Sequence, residues 1–334
     1  MGQAYAWWRM ADQEPLPQSR AAERLSVGIF LPQEEGPGDP PPSWSHISGA
    51  AQIAEEVGFD SVWLVDHFLW PDDPWARDPA AFGVDPDPDG YGSLEAWTTI
   101  SALAAVTSRV DLGTVVTCSR YRNPALLAKM ADNVHGISGG RLILGLGSGD
   151  SFAEHEMFGY PIERPVSHFE EALSIIRPLL RDGRVNFSGQ FYRAAAVLKP
   201  RPAGLASPPI MIGALRNRPR MLALVARFAD IWNGWFWATS AEDIPPAREA
   251  VDAACLAAGR EPRTLARSMV VVVALGGPMT RMDGVLSGTD EEIASALSSF
   301  RREGFDTLQL RLFPNDYVTI RRFGTILERV RALT

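Results

Sequence analysis

The residues best suited to acid–base chemistry follow a short apolar run at positions 62–65. His67 comes directly after Asp66, and Trp70 follows three residues later. Because imidazole titrates near neutral pH, His67 at the end of a strand predicts a proton-transfer role. Alternatively, His67 only caps the strand and bonds to backbone groups.

A second acidic residue, Asp150, follows a stretch rich in glycine. Gly145, Gly147 and Gly149 alternate behind the apolar run 142–144, a pattern that disfavours a surface helix and predicts a buried strand. Alternate glycines leave one face of a strand without side chains, so a flat ring or another backbone could lie against it. Alternatively, they only relieve crowding inside a barrel. In either case, Asp150 stands where the strand ends.

The elements that would position these residues form a repeating pattern of strand and helix. One junction recurs around Asp60, Asp230 and Asp306, each shortly after a phenylalanine and just before an apolar run, which suggests one αβ unit used repeatedly. The predicted strands lie at 26–31, 59–65, 110–116, 142–149, 209–213, 228–232, 268–275 and 304–310. The predicted helices lie at 45–57, 93–107, 123–137, 165–181, 219–227, 241–258, 289–303 and 316–332.

Eight such units predict an α/β fold, a closed (β/α)8 TIM barrel with insertions at the carboxyl-terminal rim. We expect four long connections, 66–92, 150–164, 182–207 and 276–288, all to leave the carboxyl ends of strands, with a hairpin at 185–192. A doubly wound open sheet is the competing architecture. No Gly-x-Gly-x-x-Gly turn follows the first strand, which favours the barrel.

Composition narrows the class of protein. The 334-residue chain has a formal charge of −8, which argues against nucleic acid as a main partner. No apolar run reaches the roughly 18 residues of a membrane helix. Two distant cysteines fit a reducing compartment and predict a cytoplasmic protein. The five histidines lack metal-ligand spacing. Residues 1–24 are interpreted as an N-terminal extension and residues 25–334 as the barrel domain.

Two further groups could carry chemistry. Cys118 ends the third strand and could be a nucleophile, although a buried inert thiol is the alternative. Gly213 is followed by Arg216, Arg218 and Arg220 at the start of a helix, where main-chain amides and guanidinium groups would bind a phosphate. Ordinary solvated arginines are the other interpretation.

Together these motifs resemble the bacterial luciferase-like flavin and deazaflavin oxidoreductases, and most closely the branch that uses coenzyme F420. The resemblance rests on six segments, at 65–68, 107–114, 121–129, 137–149, 154–161 and 227–233. It implies a hydride transfer between F420 and a small organic substrate, with His67 and Asp150 as proton-handling groups and Trp70 beside the substrate. The alternatives are a reduced-FMN monooxygenase that uses oxygen, and a barrel that binds a flavin or deazaflavin without turnover.

The resemblance also implies a cofactor-binding surface and a homodimer. The segment 114–117 would lie beneath the cofactor ring, often with a cis peptide bond. Two glycine-containing segments would complete the cofactor-binding surface. The residues assigned to the cofactor are Asp66, Thr114, Val115, Val116, Thr117, Gly147, Ser148, Gly149, Gly213, Ala214, Leu215 and Arg216.

Overall fold

Eight parallel strands, each followed by a helix, close into a barrel. The computed structural model describes residues 24–37, 39, 41–70, 85, 87–214, 218–235, 244–281 and 284–334. Within those ranges, none of the helices combines the length and apolar character needed to span a bilayer. The predicted N-terminal extension falls almost wholly outside the described residues.

The barrel strands are β1 Ser26–Phe30, β2 Ser61–Leu64, β3 Asp111–Thr114, β4 Leu142–Gly147, β5 Ile210–Gly213, β6 Ile231–Trp235, β7 Ala266–Ala274 and β8 Thr307–Phe313. The helices are α1 Trp44–Val57, α2 Ala96–Val106, α3 Pro124–Ile137, α4 Phe152–Met157, α5 Pro165–Asp182, α6 Pro219–Phe228, α7 Ile244–Ala257, α8 Asp290–Arg302 and α9 Tyr317–Leu333. Each strand pairs with its sequence neighbours, and parallel pairing of β8 with β1 closes the barrel. The predicted TIM barrel is confirmed.

Local sequence signals begin and end most of the helices. Asn123 caps α3 ahead of Pro124, and Thr289 forms a reciprocal capping box with Glu292 at the start of α8. Gly58 ends α1 with a φ of 100°, a left-handed conformation that favours glycine. These signals explain why the helix boundaries agree with the sequence pattern to within a few residues.

The recurring junction has one structural role at all three places. The carboxylates of Asp60, Asp230 and Asp306 each accept a hydrogen bond of 2.9 Å from a backbone N–H at the start of a neighbouring strand. The donors are Val27, Ile210 and Arg267 respectively. The repeat therefore reflects a repeated tie between adjacent strands at the amino-terminal end of the barrel.

One prediction about the long connections is wrong. The segment 182–207 follows a helix, α5, and so leaves from the amino-terminal end of the barrel instead of the carboxyl-terminal rim. Its hairpin pairs Arg184–Ser188 with Arg193–Val197, so the segment 185–192 predicted as a hairpin covers the first strand and the turn, and the second strand follows it. The Glu171 carboxylate accepts hydrogen bonds from the turn amides of residues 190–192, which holds the turn against α5.

The inside of the barrel is filled by side chains. Phe30, Trp63, Val65, Val115, Met211 and Val270 form an apolar cluster there. Gly113 makes room for the indole of Trp63, since a Cβ atom at Gly113 would lie 2.1 Å from its ring. A filled interior leaves the carboxyl-terminal rim as the place for a ligand.

The junction tie is testable at Asp230. We expect Asp230→Ala to lower the free energy of unfolding by about 1–3 kcal/mol, because the Ile210 N–H loses its acceptor. Urea denaturation followed by circular dichroism measures the change. Asp230→Asn keeps an acceptor oxygen and is the matched control. Equal stability of the alanine variant and the wild type would contradict the role of this hydrogen bond.

Candidate active site

His67 is held by a carboxylate that lies 87 positions away in the sequence. Its Nδ1 atom lies 2.6 Å from Oε2 of Glu154, on α4. An ionised carboxylate only accepts hydrogen bonds, so Nδ1 carries the proton that is shared with Glu154. The other ring nitrogen, Nε2, lies 3.9 Å from Oδ1 of Asp150. The ring is thereby oriented with Nε2 toward the rim acid.

Glu154 is completely buried and has four hydrogen-bond donors. Besides His67, the backbone N–H groups of Phe68 and Leu69 donate to Oε1 at 2.5 and 3.1 Å, and the Tyr121 hydroxyl donates to Oε2 at 3.0 Å. Burial alone would raise the pKa of Glu154, but His67 and the two amides lower it to about 2. Glu154 is therefore an anion at neutral pH.

The same contact controls the charge of His67. Burial lowers the pKa of the imidazole, yet the hydrogen bond and negative charge of Glu154 outweigh it, and the charges of Asp150 and Glu34 add to them. The net result is a pKa raised above the usual histidine range. His67 thus keeps its proton to higher pH than a solvent-exposed histidine.

The structure brings the three residues predicted to be catalytic into one place. The ring centroids of His67 and Trp70 are 3.8 Å apart, with the planes tilted by 34°. Trp70 ends the short strand Leu69–Trp70, which pairs antiparallel with Tyr91–Gly92, and its buried indole N–H has no acceptor within the described part of the chain. Asp150 has a side chain that is 64% exposed. A partly buried imidazole and an exposed carboxylate therefore stand side by side.

Asp66 points away from these residues. Its buried carboxylate accepts hydrogen bonds from the Arg122 guanidinium at 2.7 and 2.9 Å and from the Cys118 backbone N–H at 3.0 Å. Burial raises the pKa of Asp66, and Arg122 opposes that shift. Arg122 also contacts Glu95, the N-cap of α2. The Asp66 ion pair therefore ties the end of β2 to the segment after β3.

The segment Thr114–Thr117 interrupts the third strand. The peptide bond between Val115 and Val116 is cis, and strand pairing resumes at Thr117–Cys118 against β4. The hydroxyls of Thr114 and Thr117 lie 2.8 Å apart, and Thr114 also donates to the Gly145 carbonyl at 3.0 Å. Both hydroxyls are thus used inside the barrel, whereas Val116 is half-buried.

The alternate glycines of β4 make room for this neighbouring segment. A Cβ atom at Gly145 would lie 1.7 Å from the Thr114 carbonyl oxygen, and one at Gly147 would lie 2.5 Å from Val116 Cγ2. A Cβ atom at Gly213, at the end of β5, would lie 3.2 Å from Val116 Cγ1. The backbone of Thr114 therefore accounts for the glycine at 145, and the side chain of Val116 accounts for Gly147.

The predicted phosphate site is described only in part. Ala214 donates its N–H to the Asn233 carbonyl at 3.1 Å, while Leu215, Arg216 and residue 217 lie outside the described residues. Helix α6 begins just beyond, and its N-cap residue, Arg218, gives the first-turn amides no side-chain acceptor. Arg220 is exposed and contacts Glu170 instead.

The alternative chemistry at Cys118 is not supported. The thiol is buried, and burial raises its pKa to about 12, which leaves no thiolate at neutral pH. Its Sγ atom lies 3.6 Å from Nε2 of the buried His155. Burial lowers the pKa of His155, which keeps that ring neutral. Cys118 is therefore a packing residue.

The sequence analysis assigned no role in this site to three residues that the structure places there, namely Glu154, Tyr121 and Arg122. The pattern Ser151-x-x-Glu154 was a signal, but it is typical of a capping box. In the structure the Ser151 side chain does accept from the Glu154 N–H, whereas the Glu154 carboxylate turns to His67. Local sequence could not reveal a partner so distant along the chain.

Comparison with known proteins identifies the family. The luciferase-like monooxygenase family matches residues 25–281, so the chain belongs to that family. Among curated relatives, the F420-dependent hydroxymycolic acid dehydrogenase of Mycobacterium tuberculosis is 32% identical over 268 residues, which cover 78% of this chain. That alignment spans 66% of the relative's own length. The family resemblance seen in the sequence is confirmed.

Solved structures agree on the fold. An F420-dependent secondary alcohol dehydrogenase in complex with an F420–acetone adduct superimposes with a TM-score of 0.74 at 20% identity, over 92% of this chain and 99% of the other. A riboflavin lyase with a modified FMN and riboflavin gives a TM-score of 0.73 at 14% identity, over 93% and 92%. At such identities the likeness establishes the barrel alone.

The effect of Glu154 on His67 can be measured directly. We expect Glu154→Gln to lower the pKa of His67, because the amide keeps a hydrogen bond but removes the negative charge. A titration of the His67 ring signals by NMR measures the change. Asp150→Asn is the matched control and should shift the pKa less, since that carboxylate is exposed and more distant. An unchanged pKa in the Gln variant would contradict this account.

Proposed function

We propose that the protein is an F420-dependent oxidoreductase that transfers a hydride between the cofactor and a small organic substrate, a secondary alcohol or its ketone. One observation carries the proposal: His67 stands at the catalytic rim of a luciferase-like barrel with Nδ1 fixed by buried Glu154. Similarity to the F420-dependent hydroxymycolic acid and secondary alcohol dehydrogenases supports both the cofactor and the substrate class.

The residues of the rim fit such a cofactor. Half-buried Val116 offers an apolar surface between Gly147 and Gly213, on which a flat ring can lie. Beyond Gly213, the uncapped first turn of α6 suits a phosphate. When bound, F420 supplies the two-electron acceptor or donor. The proposed cofactor contacts are Asp66, Thr114–Thr117, Gly147–Gly149, Gly213, Ala214, Leu215 and Arg216.

The protein's own residues then handle the proton. In the oxidation of an alcohol, the hydroxyl proton would pass to Nε2 of His67, and the bound cofactor would supply the hydride acceptor. In the reverse direction, Nε2–H donates to the ketone oxygen. Glu154 holds Nδ1–H and stabilises the imidazolium, because its anionic oxygen is 2.6 Å away. Exposed Asp150 exchanges the proton between Nε2 and water.

A homodimer and a cytoplasmic location, both expected from the sequence, are part of the proposal. A reduced-FMN monooxygenase is the second candidate, favoured by the FMN-containing fold neighbour. A non-catalytic flavin or deazaflavin-binding barrel is the third.

Cofactor titration separates these functions. The chain has ten tryptophans, so quenching of their fluorescence reports binding of F420 and of FMN to the purified protein under identical conditions. We expect F420 to bind at least about tenfold more tightly than FMN, a difference of about 1.4 kcal/mol. A preference for FMN would overturn the cofactor assignment and favour the monooxygenase.

Removal of the imidazole tests the acid–base role. We expect His67→Ala to lower kcat by about 10²–10⁴-fold, the usual contribution of a positioned acid or base, while the Kd for F420 stays the same. Steady-state kinetics with isopropanol and F420 measure the effect. His46→Ala on α1, where the ring contacts Tyr317, is the matched control. Equal kcat values for the His67 variant and wild type would remove this role.

A further inference from the structure

Helix α4 has its polarity reversed. Its buried residues are the charged and polar Glu154 and His155, whereas Phe152 and Met157 are 59% and 52% exposed. A helix on the surface of a globular protein normally buries its apolar side and exposes its polar side. On the inner side of α4, the burial of Glu154 is explained by its hydrogen bond to His67. Nothing within the barrel requires large apolar residues on the outer side.

The apolar surface continues past the end of the helix. Phe158 is 50% exposed and Ile162 is 40% exposed. These two residues together with Phe152 and Met157 are called the α4 patch. Among the described residues, four of the twelve exposed large apolar side chains belong to this short segment. Scattered single residues would be normal, but such a concentration marks a binding surface.

The α4 patch adjoins the catalytic residues. The ring of Phe158 packs against that of Phe68, with centroids 4.9 Å apart, and Phe68 directly follows His67. At the other end, Phe152 comes two residues after Asp150, a separation of at most about 7 Å along the chain. An apolar chain attached to a carbon beside His67 Nε2 would therefore meet the patch as it left the site.

We propose that the α4 patch binds the hydrocarbon chain of the substrate, which is then a long-chain secondary alcohol or ketone with its oxygen at His67. The proposal rests on the function proposed above. The charge of the segment that carries the α4 patch disfavours two other ligands, an anionic lipid surface and a second copy of the chain. Along residues 152–164 the exposed charged side chains are Glu156, Glu163 and Arg164, and their net negative charge would repel an anionic lipid surface. A symmetric contact between two copies would also bring two such negatively charged segments together.

The test compares a long and a short substrate. Dodecan-2-ol and isopropanol are assayed with F420 and the wild type, the double variant Phe152→Ser/Met157→Ser, and the control Leu256→Ser. Leu256 is 65% exposed on α7, near the opposite end of the barrel, and so matches the patch residues in exposure. Displacement of Nile red by dodecan-2-ol, without cofactor, gives the affinity independently of turnover.

We expect the double variant to raise the KM for dodecan-2-ol relative to isopropanol at least tenfold and to weaken displacement equally. Each methylene kept from water contributes a factor of about four, so the loss of two or three contacts suffices. The control should match the wild type. Equal KM ratios and affinities in wild type and double variant would overturn the proposal.

Two further outcomes are decisive. If analytical ultracentrifugation shows a wild-type dimer and a monomeric double variant, with unchanged affinity for dodecan-2-ol, the patch is an interface between copies and the proposal is overturned. If neither alcohol is turned over with F420, yet the double variant still loses affinity for dodecan-2-ol, the proposed function fails while binding of the chain is supported.

Discussion

The hydrogen bond between His67 and Glu154 is the interaction on which the catalytic rim depends. A buried carboxylate is costly unless it is hydrogen-bonded, and Glu154 meets that requirement with four donors. Those donors come from the end of β2 and from Tyr121 after β3. One anion therefore fixes the positions of α4, the loop after β2 and the segment before α3. It also raises the pKa of the imidazole that it orients.

Ionisable residues have different roles at the two ends of the barrel. At the amino-terminal end, Asp60, Asp230 and Asp306 repeat one strand-to-strand hydrogen bond, which serves the stability of the barrel. At the carboxyl-terminal end, the ionisable groups form a network without repetition. Asp66 pairs with Arg122 to hold the backbone, and Glu154 pairs with His67 to hold a reactive ring. The proposed chemistry therefore lies at the end where the loops vary.

The reversed polarity of α4 follows from the same anion. A helix of six residues cannot place both Glu154 and a full apolar side toward the protein. With Glu154 and His155 inside, the large apolar residues must face outward, next to Asp150. This arrangement joins an acid–base pair to an apolar surface, a combination suited to a substrate with one polar oxygen and a long chain.

Local and repetitive features could be predicted from the amino-acid sequence. Strand and helix periods, Asn123 and Thr289 as caps, the junction aspartates and the rim positions of His67 and Asp150 are all encoded within a few residues, and the motifs together identified the family. Only the tertiary structure decided the partner of His67, because Glu154 is 87 positions away and its local pattern is that of a capping box. Likewise, what fills the space beside Gly145 and Gly147 depends on a neighbouring strand. Contacts of this kind arise from barrel closure, which no local window of sequence contains.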